Sequence, residues 1–129
     1  APLLPFGFGL SYTKFKYSKI KLDKKVLTQD GIIKACVKVK NVGKYPGDEI
    51  VQLYIRDITA SVVRPVKELK GFKKIHLEVG EEKEVVFEIR EEMLRFHNEN
   101  MEYVSEKGKF QLMIGANSRD VQTVEFELR

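Results

Sequence analysis

Ile33-Lys34-Ala35-Cys36-Val37-Lys38-Val39-Lys40 decides the fold: its odd positions are apolar and its even positions are lysine or cysteine. Successive side chains of a strand point to opposite faces, so this period of two buries one face and wets the other. The pattern recurs on both sides. In Ile50-Val51-Gln52-Leu53-Tyr54-Ile55-Arg56, Val51, Leu53 and Ile55 share a face, while Ile50 and Tyr54 occupy the other. That reads as an inner strand partly covered on both sides. Val85, Phe87 and Ile89, then Phe110, Leu112 and Ile114, then Val124, Phe126 and Leu128 repeat the alternation. The residues expected between two sheets are Val37, Val51, Leu53, Ile55, Phe87, Phe110, Leu112 and Phe126.

The first strand breaks phase. Phe15 and Tyr17 have one parity and Ile20 and Leu22 the other, which predicts a bulge near Ser18 or a strand that changes sheets. Val66 to Leu77 reads as extended, with Gly71 marking a bend or a close backbone approach. Turn chemistry punctuates the chain at Gln29-Asp30-Gly31, Asn41-Val42-Gly43, Pro46-Gly47-Asp48, Val79-Gly80-Glu81-Glu82 and Asn117-Ser118-Arg119-Asp120. The single helical candidate is the short turn Glu91-Glu92-Met93-Leu94. About seven strands at this spacing predict an all-β, antiparallel immunoglobulin-like sandwich.

A chain of 129 residues is one domain with room for a core that needs no disulfide or metal. Residues 1–13 read as a linker segment and 14–129 as the sandwich. Pro2, Pro5, Gly7 and Gly9 forbid a regular element in that segment, yet it carries Leu3, Leu4, Phe6, Phe8, Leu10 and Tyr12. An apolar, irregular stretch of this kind is expected to pack on something. No apolar run reaches the roughly 18 residues of a membrane span. No basic start leads into an apolar run, so no signal peptide is expected. Ala1 in place of Met reads as a piece of a longer polypeptide. The lone Cys36 favours a cytoplasmic over a secreted location; Lys34 and Lys38 beside it would lower its pKa.

The net charge of +4 is unevenly placed: residues 1–74 hold 16 Lys/Arg against 6 Asp/Glu, and residues 75–129 hold 7 against 13. The lysines are spread singly along alternating strands, which reads as solvated faces rather than a nucleic-acid patch. Basic and acidic strands are expected side by side, paired across a sheet.

Catalytic constellations were sought and none is predicted. His76 and His97 share no ligand spacing with Cys36 or each other, so neither metal nor cofactor is expected. Gly7-Phe8-Gly9 lacks the flanks of a phosphate loop. The pairs Glu81-Glu82 and Glu91-Glu92 read as exposed turn carboxylates, whereas glycoside hydrolysis needs two carboxyls facing each other across a pocket. With no tryptophan, no sugar-stacking row is evident.

Pro5-Phe6-Gly7-Phe8-Gly9-Leu10-Ser11-Tyr12-Thr13 resembles the segment that leads into the C-terminal domain of family 3 glycoside hydrolases. The likeness continues through Asn41-Val42-Gly43, residues 47–55, Arg64-Pro65-Val66-Lys67-Glu68-Leu69-Lys70-Gly71-Phe72, Gly108-Lys109-Phe110 and residues 114–120. Phe8 departs from the histidine or tyrosine of many relatives. The resemblance implies a fibronectin type III-like sandwich with no catalytic residue of its own, belonging to a retaining, β-glucosidase-like parent. It implies packing on the preceding α/β domain. The candidate contacts are Phe6, Phe8, Leu10 and Tyr12 in the linker, and Arg64, Pro65, Lys67 and Glu68; self-association of the isolated domain is the corollary. The alternatives are a polymer-binding module or a loop that helps form the substrate cleft. Polyanion binding, resting on a pI of 9.1, is a third.

Overall fold

The computed structural model describes residues 13–58, 67–97, 100–117 and 119–129. Its strands are β1 (Phe15–Tyr17), β2 (Lys21–Leu22), β3 (Val26–Leu27), β4 (Ile33–Asn41), β5 (Gly47–Asp57), β6 (Glu68–Leu77), β7 (Glu82–Ile89), β8 (Phe96–His97), β9 (Tyr103–Val104), β10 (Gly108–Gly115) and β11 (Val121–Leu128). The stretch 33–40 is the centre of the first sheet: β1 and β2 pair with β4, and so does β7, all antiparallel. The second sheet runs β3-β11-β10-β5-β6, antiparallel except for the β3–β11 pair. A small β8–β9 hairpin stands apart. The expected strands are all present, and the sandwich is immunoglobulin-like. The turn at 91–94 is a 3-10 helix, Glu91–Leu94.

The phase break in the first strand lies between β1 and β2. Tyr17 faces Val39 and Lys21 faces Cys36, so four steps along the first strand match three along β4. That is a one-residue bulge. Ser18 sits in it, its backbone N–H donating to the Lys38 carbonyl and its hydroxyl accepting from the Lys38 N–H. The chain then crosses layers, and β3 joins β11 in parallel.

All eight residues expected between the sheets are buried. Phe110 and Phe126 stack at 5.5 Å between centroids. Burying each such side chain stabilises by about 1.5–3 kcal/mol. On the outer face of the first sheet, Lys34, Lys38 and Lys40 of β4 stand opposite Glu88, Glu84 and Glu82 of β7. The uneven charge of the sequence is thus the cross-strand complement it was expected to be, at about 0.2–1 kcal/mol per pair.

β6 lies at the margin of the second sheet. Leu53 pairs with Gly71 but Tyr54 with Leu69, so Lys70 is an extra residue and forms a bulge. Gly71 faces inward: a Cβ there would meet the Phe87 ring at 3.8 Å. Lys73, opposite buried Val51, also turns inward, and its ammonium lies 5.5 Å from the Phe87 centroid and reaches the Val86 carbonyl. A bulge and an inward lysine both blunt a sheet edge against pairing with another strand.

Candidate interdomain surface

Two blocks are expected to make interdomain contacts, within residues 6–12 and 64–68. Phe6, Phe8, Leu10, Tyr12, Arg64 and Pro65 lie outside the described residues. Their described neighbours are Thr13 on one side and Lys67 and Glu68 on the other. Thr13 sits where β4 ends and β5 begins, its hydroxyl donating to the Asn41 side-chain oxygen at 2.8 Å. Glu68 opens β6, opposite Ile55 near the end of β5, and forms an ion pair with Lys70 at 3.6 Å. Half-buried Lys67 precedes it. Between the two sites runs β5, whose 11 residues span roughly 35 Å. No single small contact reaches both.

Thr13 is anchored by a device the sequence reading missed. Asn41 stands in a turn motif but is fully buried. Its Oδ1 accepts from the Thr13 hydroxyl and the Gly43 N–H, and its Nδ2 donates to the carbonyls of Tyr45 and Leu77. Its backbone N–H donates to Glu81, and its carbonyl accepts from Gly80. Every polar group of a buried amide is therefore used, the condition under which burial is tolerated. A Cβ on Gly43 would come within 1.7 Å of the Thr13 hydroxyl oxygen, which is why glycine stands there.

Glu91 lies at the other end, just past Ile89, which pairs with Ile33. Glu91 was expected in an exposed turn; it is buried instead. Arg95 donates to both of its oxygens, at 2.7–3.2 Å, and the Ser105 hydroxyl donates to one. The Arg95 bonds, then the Ser105 bond, hold its carboxyl below the usual range. Glu91 lines an open depression of about 270 Å³ with Asp30, Arg90 and Glu92. A general acid needs a raised pKa, and Glu91 has the reverse. Its role there is to tie the 3-10 helix to the strand that follows.

Cys36 is half-buried, as a strand cysteine should be, but its pKa is raised and not lowered. Burial pushes the thiol up, Glu84 and Asp23 add to this, and only Lys34 opposes. His76 and His97 are apart: the first lies on β6 between Asp48 and Glu78, the second lies against Tyr103 with ring centroids 5.0 Å apart and the planes tilted by 41°. The hydrogen bond to Asp48, then that to Glu78, raises the His76 pKa; the same bond holds Asp48 down. Among the described residues no group of three or more His, Cys, Asp or Glu is placed to hold a metal. No helix among them is long and apolar enough to cross a membrane.

Exposed large apolar side chains among the described residues fall in three places: Val42, Tyr45 and Val79 in the loops beside Asn41, Met101 and Tyr103 at the β8–β9 hairpin, and Leu69 and Phe72 on β6. Among the described residues the exposed aromatics are therefore dispersed and make no row for stacking sugars.

Comparison with known proteins agrees with the strand order. A profile of the fibronectin type III-like domain matches residues 49–118. The thermostable β-glucosidase B of Acetivibrio thermocellus is 52% identical over 121 residues, covering 93% of this chain and 16% of that protein. β-Glucosidase BoGH3A of Bacteroides ovatus is 52% identical over 128 residues, covering 98% and 17%. The solved β-glucosidase of Listeria innocua in complex with glucose superimposes with a TM-score of 0.86 at 41% identity, covering 98% of this chain and 18% of that one. The chain spans only 16–17% of the length of these curated relatives. By its sandwich topology, its matched residues and its near-complete likeness to one small part of these large enzymes, the chain belongs to the fibronectin type III-like domain family, in the form carried by multidomain family 3 glycoside hydrolases.

Proposed function

We propose that this chain is a non-catalytic accessory module of a larger, retaining β-glycosidase of the β-glucosidase kind, and that it packs on the preceding α/β domain and stabilises the catalytic domains. One observation carries this reading: 98% of the chain aligns with only 17–18% of enzymes named β-glucosidase, so the bulk of such a protein lies outside it. The buried carboxylate Glu91 is committed to an internal ion pair, which fits a structural part better than a chemical one. Isolated, the module is expected to self-associate through surface that the larger protein covers.

The test uses Phe6→Ser and Arg64→Ala in the full-length enzyme. Thermal inactivation should quicken while KM for an aryl β-glucoside stays unchanged. Unchanged inactivation with a sharp rise in KM at Arg64→Ala would replace bracing with a contribution to the substrate cleft.

A further inference from the structure

The outer face of the β5–β6 pair carries an apolar patch that the core does not use. In β10, Phe110, Leu112 and Ile114 point into the core, so Met113 points out; it is nevertheless only 3% exposed and is not a member of the core cluster. Its cross-strand neighbour is Tyr54, and the neighbour of Tyr54 is Leu69. One step along, Gln52 lies between Gly115 and Phe72, and Ile50 faces Lys74. The Tyr54 hydroxyl bonds Gln52 within the same face. Leu69 is 51% exposed and Phe72 65%. A phenyl ring left this open on a sheet face carries a cost that contact with a partner removes.

The edge and the face of β6 are treated differently. The Lys70 bulge and inward Lys73 guard the edge against strand addition, while Phe72 stands open on the face. The partner therefore lies flat on the face and does not extend the sheet. Lys70 and Lys74 border the patch, Lys70 facing Glu68 and Lys74 facing Asp48 at 3.6 Å.

We infer that the outer face of β5 and β6, centred on Phe72 with Leu69, Tyr54 and Ile50, is the surface by which this module docks on the remainder of its own polypeptide, against an apolar patch. This rests on the accessory reading above. Two observations select that occupant over a second copy or a sugar polymer. The relatives devote 16–17% of their length to the matched part, so a large covalently joined body is always at hand. The patch also runs along β5 and β6, which connect the Thr13 and Lys67 ends, so a partner seated on it passes both.

Full-length enzyme carrying Phe72→Cys, Leu69→Cys or, on the other sheet, Glu84→Cys is treated with a maleimide, and modification is read by peptide mass spectrometry. Each rate is compared with the rate in urea. Positions 69 and 72 should label at least about tenfold more slowly in the native enzyme, as expected of contacts that open only transiently, while position 84 labels at close to its unfolded rate. The unaltered enzyme gives a second measure: acetylation should spare Lys74 relative to Lys38. Free labelling at 69 and 72 with protection at 84 would overturn the assignment of this face and keep the packing reading. Free labelling at all three would sink both. Protection at 69 and 72 that disappears on dilution would mark a second copy as the occupant and likewise overturn the proposal.

Discussion

Asn41→Ala should be among the most damaging substitutions in the chain that leave the hydrophobic core untouched. It deletes four side-chain hydrogen bonds, to Thr13, Gly43, Tyr45 and Leu77. The bond to Leu77 is fully buried; depriving a buried carbonyl of its donor costs about 1–3 kcal/mol. The other three lie where water can partly substitute, at about 0.5–1 kcal/mol each. The total is about 2.5–6 kcal/mol, a large share of the ~5–15 kcal/mol that holds a domain together. In a urea titration followed by circular dichroism, with a slope of about 1–3 kcal/mol per molar, the midpoint should fall by roughly 2 M. Asn41→Asp sharpens the test. Its carboxylate can still accept from Thr13 and Gly43, but it sets an oxygen against the carbonyls of Tyr45 and Leu77. Burial and those carbonyls would raise its folded-state pKa above the unfolded value. A raised carboxyl pKa means that the penalty is present at neutral pH and relieved as pH falls through the folded value. The deficit of Asn41→Asp against the parent should therefore shrink between pH 7 and pH 5. A loss below about 1 kcal/mol for Asn41→Ala, or a pH-independent deficit for Asn41→Asp, would refute the role given to this amide.

Three further outcomes are expected. Phe87→Ala and Phe110→Ala should each cost about 3–5 kcal/mol in the same titration, and losses under about 1 kcal/mol at both would mean the strand phases are wrong. Gly43→Ala forces a Cβ within 2.6 Å of the Lys14 nitrogen and should cost about 2–3 kcal/mol; Gly71→Ala, with its nearest contact at 3.8 Å, should stay within about 1 kcal/mol, and equal losses would contradict the geometry. Glu91 has a folded pKa lowered by Arg95 and Ser105, so its contribution is complete above the unfolded value and lost as pH falls through the folded one. Glu91→Gln should therefore be less stable than the parent at pH 7, with the gap narrowing as pH falls through the folded value, and a gap that does not narrow on acidification would remove the ion pair from the account.

The layers were legible because strand periodicity is local: each odd residue from Ile33 to Val39 states its face without reference to the rest of the chain. What escaped depended on neighbours brought from afar. Lys34 and Lys38 adjoin Cys36 in sequence, but burial, with Glu84 and Asp23 brought from other segments, outweighs Lys34 and raises the thiol pKa. Glu91 looked exposed because its burial depends in part on Ser105, 14 residues away. Asn41 did carry a signal, since it continues the inward parity of Ile33, Ala35, Val37 and Val39, and the turn motif masked it. The β6 face was hidden for a different reason. Leu69 and Phe72 are three residues apart, and in a regular strand they would point to opposite sides. Only the extra residue Lys70 returns them to one face, and a bulge is set by pairing with β5, not by the sequence of β6 alone. The extra residue at Lys70 is what gathers an exposed apolar surface, so a phase break in an otherwise alternating chain is a place to look for contact with another domain as well as for a defect in the sheet.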